Sequence, residues 1–319
     1  MAGAETLIGA GLVDYLRGEG YGHVQVACGS ALEDAREVDA FFRAARPEYV
    51  FFAAGKSGGI HANQAYPATL MRDNLLTATH VIDGAHRHGV TKLLYLASSC
   101  SYPRLAPQPM RVECLLTGPL EPTNEAYALA KLAGLKLCQA YRHEHHVNFI
   151  AGIPANAFGP KDDFSPEDSH VIPGLIRKLD DARDQRLPEF PLWGTGQARR
   201  EFIYVRDLAD ACVFAMQHYD GAEPLNLGGG RDLSILETAQ AIAEVVGYRG
   251  TFRLDPSKPD GMPRKGLDSS KLEQLGWRPK TDFHTALRET YEWYLSNRAE
   301  AQSGHVILPM QERTYRAAV

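Results

Sequence analysis

Short apolar segments with many β-branched and aromatic residues alternate with helical patterns through the first two thirds of the chain. Segments of this length and composition favour buried strands over helices. The predicted strands cover residues 24–28, 49–54, 93–97 and 147–153. The predicted helices cover residues 7–17, 38–45, 69–87 and 126–141. Because helices that join parallel strands cross over right-handed, this order predicts an α/β fold with a Rossmann-type, doubly wound parallel sheet.

The alternation loosens after Pro154, where several prolines divide a loop-rich region with one predicted helix near Leu175. Since no low-complexity linker follows, we predict a smaller α/β substrate domain that is interwoven with the first. In this later part of the chain we predict strands at residues 201–205 and 224–227, and helices at residues 207–217, 233–246 (ended by Gly247) and 286–295. The predicted domains are a dinucleotide-binding domain at 1–155 plus about 202–222, a substrate domain at about 156–201 plus 223–298, and a C-terminal tail at 299–319.

Composition narrows the class of protein. The chain has 319 residues, 44% of them hydrophobic, and a formal net charge of −5, which predicts a soluble globular protein and argues against general binding to nucleic acid. No apolar run reaches the roughly 18 residues of a membrane span, and no secretory signal is visible. The five cysteines lack metal-type spacing, and their small odd number fits a reducing cytoplasm. His143, His145 and His146 lack acidic or cysteine partners at ligand spacing, so no metal site is predicted.

A glycine turn precedes the first predicted helix. Gly3 and Gly9 frame it, and Thr6 stands where a GxxGxxG pattern has its middle glycine. Such a turn can seat a pyrophosphate, because free backbone N–H groups and the positive end of the helix dipole converge there. The strand that should come before it is reduced to Met1 and Ala2. A helix start with two tolerated glycines is therefore an equal interpretation of this segment alone.

A YxxxK pattern, Tyr127 and Lys131, lies on the helix predicted at residues 126–141. Residues four apart share a helix face, so we expect the lysine ammonium to favour the phenolate and to lower the pKa of Tyr127 toward neutral. The phenol could then exchange a proton with a carbonyl oxygen. Ser98 follows the strand predicted at residues 93–97, and ligands gather at the carboxyl ends of such strands. YxxxK alone is common, but its combination with Ser98 and a glycine turn is typical of the extended short-chain dehydrogenase/reductases.

Within that superfamily the chain resembles the GDP-L-fucose synthases, from about residue 3 to about residue 295. The resemblance rests on seven strings: KSGGI at 56–60, SCSYP at 99–103, LEPTNE at 120–125, SHVIP at 169–173, WGTG at 193–196, REF at 200–202 and KPDGMPRK at 258–265. It implies NADP(H)-dependent 3,5-epimerisation and 4-reduction of GDP-4-keto-6-deoxy-D-mannose to GDP-L-fucose in a homodimer. The helices predicted at 69–87 and 126–141 resemble the two that form the dimer bundle, although their second apolar faces could equally pack within one subunit.

The resemblance also implies residue roles. Ser98, Tyr127 and Lys131 match the reductase triad, and Cys100 and His170 match the acid/base pair that inverts C3 and C5. A thiol and an imidazole can both exchange protons near neutral pH. Without the resemblance, Cys100 would be a small buried hydrophobe and His170 a helix cap. The implied cofactor-binding residues are Gly3, Thr6, Leu7, Ile8, Gly9, Asp34, Ala53, Ala54, Lys56, Tyr127, Lys131, Pro154, Asn156 and His170. The implied substrate-binding residues are Asn156, Lys178, Trp193, Arg200, Arg264 and Lys265.

The cofactor half departs from the family. Cys28, Gly29 and Ser30 stand where the family usually offers an arginine for a 2′-phosphate, and the sequence shows no acidic residue there for a free ribose 2′-hydroxyl. The preference for NADP(H) thus comes from the resemblance alone, and NAD(H) stays open. Two alternatives remain: an epimerase or reductase of a related 4-keto sugar, either dideoxy or heptose, and a non-catalytic nucleotide-sugar binder with an impaired cofactor site.

Overall fold

The computed structural model describes residues 1–166, 169–229, 232–258 and 260–298, without the side chains of residues 60 and 61. Its helices are α1 Leu7–Gly18, α2 Ala35–Ala45, α3 Ile60–Ala65, α4 Pro67–Arg87, α5 Glu125–His145, α6 Val171–Asp184, α7 Val205–His218, α8 Ile235–Val246, α9 Ser270–Gln274 and α10 Phe283–Ser296. Its strands are β1 Tyr49–Phe52, β2 Lys92–Leu96, β3 Asn148–Pro154, β4 Asn156–Phe158, β5 Glu189–Trp193, β6 Arg199–Tyr204, β7 Leu225–Leu227, β8 Asp232–Ser234, β9 Thr251–Asp255 and β10 Arg264–Lys265. The predicted tail at 299–319 lies outside the described residues.

The main sheet is parallel, in the order β1-β2-β3-β7. Ala2 extends it, because parallel bridges join Ala2 to Phe52 of β1 and to Ala27. The doubly wound Rossmann-type prediction is therefore confirmed. The strand predicted at 24–28 is wrong in extent: Ala27 forms the bridge and Val26 is 42% exposed. Single-residue pairing at an edge cannot support a longer ladder.

Two smaller sheets form the second part of the molecule. β6 lies between β10 and β4 and pairs with β8 in the antiparallel direction, and β5 pairs with β9. The sequence analysis did not predict β5 and β9. Pro191 looked like loop punctuation, yet it lies on an exposed position of the alternating pattern of β5. Prolines are tolerated in strands whose N–H side faces solvent.

The apolar side chains form two clusters. The first surrounds the main sheet and the second joins α6, α8 and α10. The first cluster also contains side chains that the predicted boundaries put in the substrate domain, namely Leu225, Leu227, Met262, Leu267 and Trp277. The chain thus crosses between the two cores several times, and the region where they meet is called the cleft below. None of the helices in the described part of the chain is long and apolar enough to cross a membrane.

Candidate active site

The glycine turn forms although its middle glycine is replaced. Gly3 has φ +87°, and a Cβ there would lie 2.3 Å from the Cα of Ala54. A Cβ on Gly9 would lie 1.8 Å from the carbonyl oxygen of Gly3. Thr6 caps α1: its hydroxyl donates to the Gly3 carbonyl at 2.9 Å and accepts from the Gly9 N–H at 3.0 Å. The closely packed backbone at Gly3 and Gly9, at the start of a helix, suits the pyrophosphate of a dinucleotide.

Several other residues implied for the cofactor have defined local contacts. The carbonyl of Ala53 also accepts from the Thr6 hydroxyl at 3.3 Å. Leu7 and Ile8 lie in the first turn of α1. Asp34 caps α2 by accepting from the Arg36 N–H at 2.8 Å. Pro154 ends β3, and the amide of Asn156 donates to the Glu201 carbonyl at 2.8 Å.

Lys56, which was expected to be a cofactor contact, is an ion-pair partner in this structure. Its ammonium contacts Glu33 at 2.6 Å and also contacts Asp73, which is 2% exposed. Burial alone lowers the pKa of Lys56, but the two carboxylates outweigh it and the net shift is upward. Its charge is therefore largely neutralised by the chain itself.

Cys100 lies at the centre of a polar cluster at the carboxyl end of β2. Ser98 caps a 3-10 turn there by accepting from the Cys100 N–H at 3.2 Å. The Cys100 thiol accepts from the amide of Asn124 at 3.2 Å and from the ammonium of Lys265 at 3.2 Å. Lys265 comes from β10, on the far side of the cleft. Its ammonium is on the thiol, whereas the sequence analysis expected it on the substrate.

These contacts change the acidity of the thiol. Burial is the largest influence and raises the pKa of Cys100, but Lys265, Ser98 and Asn124 together outweigh it, and the net shift is downward. A lower pKa favours the thiolate, which is the nucleophilic and basic form of cysteine. This microenvironment is that of a reactive cysteine, which argues against an inert buried one.

Tyr127 and Lys131 share the inner face of α5, but their electrostatics differ from the expectation. Burial raises the pKa of Tyr127, with a further increase from Cys100 and an opposing hydrogen bond from Ser98. Burial also lowers the pKa of Lys131 to about 8. The Lys131 ammonium donates to the Ala54 carbonyl at 3.4 Å and lies 4.9 Å from the centre of the Tyr95 ring. The expectation of a lowered tyrosine pKa is therefore wrong for this structure, because desolvation penalises both charged forms.

His170 is the residue just before α6, and its side chain makes no capping hydrogen bond. The imidazole keeps contact with solvent although protein surrounds it on the wall of the cleft. Desolvation by this surrounding protein lowers its pKa, Lys265 lowers it further, and Asp163 opposes the shift. Lys265 therefore contacts Cys100 directly and also acts electrostatically on His170.

An exposed tryptophan lies at the end of β5, in the second part of the molecule. Trp193 is 61% exposed at the end of β5, and the ammonium groups of Lys178 and Lys258 each lie 5.3 Å from its ring centre. An exposed ring flanked by two cations suits a nucleotide, because the ring can stack on the base and the cations can bind the phosphates. The sequence analysis named Lys178 and Trp193 but gave Lys258 no role, although Lys258 begins one of the family-like strings.

Arg200 and Arg264 have different positions. Arg200 donates to the carbonyls of Met262 at 2.6 Å and Asp260 at 3.2 Å, and burial lowers the pKa of its guanidinium, with Cys100 opposing the shift. Arg264 precedes Lys265 in β10, so its side chain points to the opposite face, where it pairs with Asp232 at 2.8 Å. The structure brings Arg200 to the cleft and places Arg264 on Asp232.

Comparison with known proteins identifies the family. A model of the NAD dependent epimerase/dehydratase family matches residues 1–228. The chain belongs to this family. It is 49% identical over 299 residues to the putative GDP-L-fucose synthase 2 of Arabidopsis thaliana, covering 93% of this chain and 91% of that protein.

Solved structures of this family are also similar. A GDP-6-OMe-4-keto-L-xylo-heptose reductase from C. jejuni matches with a TM-score of 0.85 and 29% identity, covering 93% of this chain and 97% of that one. A GDP-L-fucose synthetase from Naegleria fowleri bound to NADP matches with a TM-score of 0.84 and 28% identity, covering 93% and 94%. The resemblance to the GDP-L-fucose synthases, seen first in the seven strings, is thus confirmed over most of the chain.

Of the three histidines considered for metal binding, His145 has an aromatic contact. His145 stacks on His86 with ring centres 4.2 Å apart. Among the described residues, no three of the His, Cys, Asp and Glu side chains group closely enough to hold a metal ion.

Replacing Lys265 with glutamine is expected to raise the pKa of the Cys100 thiol, because burial then acts without the opposing ammonium. The thiolate is present above the thiol pKa, so alkylation of Cys100 by iodoacetamide should begin at higher pH than in the parent protein. Alkylation followed by peptide mass spectrometry across pH measures the shift. Arg264→Gln removes one positive charge from the opposite face of β10 and is the matched control. An unchanged Cys100 profile in Lys265→Gln would contradict the assigned contact.

Proposed function

We propose that the chain catalyses the NADP(H)-dependent 3,5-epimerisation and 4-reduction of GDP-4-keto-6-deoxy-D-mannose to GDP-L-fucose. The observation that carries the proposal is the cluster of Cys100, Lys265, Ser98 and Tyr127 at a strand end beside the glycine turn. Epimerisation needs a basic group, and reduction needs a proton donor at the ketone oxygen. The name and identity of the Arabidopsis relative support the same substrate.

Epimerisation begins with the acidity of the sugar. The C4 ketone acidifies the protons at C3 and C5, because the resulting enolate is stabilised at oxygen. Ser98 and Tyr127 hold that oxygen by hydrogen bonds, and such donors stabilise developing charge in a desolvated site. The Cys100 thiolate, supported by Lys265, takes the proton, and the imidazolium of His170 returns one to the opposite face. The lowered pKa of His170 makes its protonated form a stronger acid.

Reduction follows at C4. The nicotinamide cofactor supplies a hydride to that carbon when it is bound. Tyr127 donates its phenolic proton to the oxygen as negative charge develops there. The raised pKa of Tyr127 keeps the phenol protonated, which is the form that reduction of a ketone requires. Lys131, held by Ala54 next to the glycine turn, is positioned to hold the ribose of the cofactor.

The nucleotide end of the substrate is assigned to Trp193 and the two lysines beside it. Trp193 offers its exposed ring to the guanine base, and Lys178 and Lys258 flank that ring with positive charge for the diphosphate. Arg200, which is held by the carbonyls of Met262 and Asp260, is a further diphosphate contact. Because Lys178 is a point charge and not a planar fork, its hydrogen bonding to the diphosphate is less directional than that of an arginine.

A second candidate is a related GDP-linked 4-keto sugar. The similarity to the C. jejuni heptose reductase supports it, since that protein shares the fold with a different sugar. A non-catalytic binder is disfavoured, because the Lys265–Cys100 contact lowers the thiol pKa and a binder has no use for a thiolate.

Incubation with GDP-4-keto-6-deoxymannose and NADPH tests the proposal. GDP-L-fucose should form, as identified by chromatography and proton NMR. Omitting NADPH should leave C3 and C5 exchange with solvent deuterium without reduction. Reduction without exchange would favour the second candidate, and the absence of both reactions would refute the enzyme on this substrate.

A homodimer and a cytoplasmic location are further parts of the proposal. Leu76 on α4 and Leu129 on α5 are 37% and 40% exposed, and helices α4 and α5 pack side by side. Exposed leucines on two adjoining helices support a dimer bundle. Light scattering of Leu76→Glu should give a smaller mass than the parent protein.

The cysteines support the cytoplasmic location. All five are unpaired, which fits a reducing compartment.

A further inference from the structure

We propose that the carboxylate of Glu5 sets the cofactor specificity of this chain, by accepting from the ribose 2′-hydroxyl of NADH and repelling the 2′-phosphate of NADPH. The inference rests on the proposed function, because it concerns the hydride donor of that reaction: NADPH remains a donor, and NADH becomes one that binds at least as tightly. It also departs from the relatives, since the Naegleria fowleri structure is bound to NADP. The chain is expected to bind NADH at least as tightly as NADPH.

Glu5 reaches the place where the adenosine ribose is recognised. The N–H of Gly29 donates to a Glu5 carboxylate oxygen at 2.9 Å. Gly29 comes two residues after Ala27, which pairs with Ala2 at the sheet edge. In dinucleotide-binding sheets, an acidic residue near the end of this second strand position binds the free 2′-hydroxyl. The sequence analysis found no acidic residue in that segment, but the fold brings one from the glycine turn.

The charged side chains of the two segments that meet here are acidic. Residues 1–9 and 24–34 contain no lysine or arginine and contain the acidic residues Glu5, Glu33 and Asp34. Lys56, the basic residue after β1, is paired with Glu33 and with Asp73. A 2′-phosphate therefore meets carboxylates and one neutralised ammonium.

Arg36 is the nearest arginine along the chain, in the first turn of α2. Its side chain lines a surface cleft together with Asp39, Arg43 and Arg87. That cleft lies along the helix, and Asp39 within it is ion-paired with both Arg43 and Arg87. Arg36 is an exposed residue of α2 that lines this surface cleft.

The thiol of Cys28 supports the electrostatic argument. Burial and then the neighbouring Glu5 carboxylate raise its pKa. The same neighbourhood therefore already disfavours a second negative group. A phosphate monoester carries about −1.5 to −2 charge near neutral pH, so it is penalised more than a thiolate would be. Like charges brought together at a binding site repel each other, whereas the 2′-hydroxyl of NADH gains a hydrogen bond to the carboxylate.

Titration of NADH and NADPH with nicotinamide fluorescence tests the inference as binding, without turnover. The parent protein should bind NADH with a Kd equal to or below that for NADPH. Glu5→Gln should strengthen NADPH binding by about tenfold or more and weaken NADH binding, because repulsion is removed and the acceptor loses its charge. Added salt should improve NADPH binding relative to NADH in the parent and have less effect on that ratio in Glu5→Gln.

Glu19→Gln is the matched control, because Glu19 is an exposed carboxylate at the opposite end of α1. It changes the net charge equally and should leave the ratio of the two Kd values unchanged. NADPH bound at least about tenfold tighter than NADH, with the same ratio in Glu5→Gln, would overturn the inference and leave the proposed function standing. Binding of neither cofactor would overturn both.

Discussion

Tyr127→Phe is expected to reduce the rate of ketone reduction by about 10²–10⁴-fold, the usual contribution of a positioned proton donor. The change removes one oxygen and leaves the ring, so packing around α5 should be preserved. Burial raises the pKa of Tyr127, which favours the protonated phenol that can donate. Oxidation of NADPH followed at 340 nm in the presence of the 4-keto sugar measures the loss.

Exchange of the C3 and C5 protons should continue in Tyr127→Phe at a lower rate, because Ser98 still holds the ketone oxygen and Cys100 is unchanged. Tyr49→Phe is the matched control, since Tyr49 begins β1 and is 52% exposed. Reduction within about threefold of the parent in Tyr127→Phe, well under the 10²-fold minimum of a general acid, would remove Tyr127 as the proton donor.

Cys100→Ser is expected to lower deuterium incorporation at C3 and C5 by about 10²–10⁴-fold. A serine hydroxyl titrates far above a thiol, so Lys265 cannot bring it to the ionised form near neutral pH. Reduction should continue, because Ser98, Tyr127 and Lys131 remain in place. The product should then be a 4-reduced sugar without inversion, which NMR of the incubation in deuterium oxide distinguishes from GDP-L-fucose.

Cys114→Ser provides the comparison, because Cys114 is a partly exposed free thiol outside the Lys265 cluster. It should retain both exchange and reduction. An equal loss of exchange and reduction in Cys100→Ser would instead indicate damage to the shared ketone-binding site, and the role of general base would have to be withdrawn.

The local pattern of the sequence was enough for the main sheet and for the helices around it. β-branched runs and helical periods depend on neighbours a few residues apart, and the helix ended by Gly247 and the position of Tyr127 and Lys131 on one face of α5 follow from them. The edge strand at 24–28 and the pair β5 and β9 were misjudged. Their pairing depends on partners far along the chain, and propensity carries no information about such partners.

The sequence by itself therefore determined the fold class, the family and the residue types available for chemistry. Only the tertiary structure decided which charges meet. It put the ammonium of Lys265 on the thiol of Cys100, 165 residues away, and the carboxylate of Glu5 on the backbone of Gly29. It also reversed the expected pKa shift of Tyr127. The physical reason is that electrostatic and desolvation effects depend on distance and burial in space, which spacing along the chain does not specify.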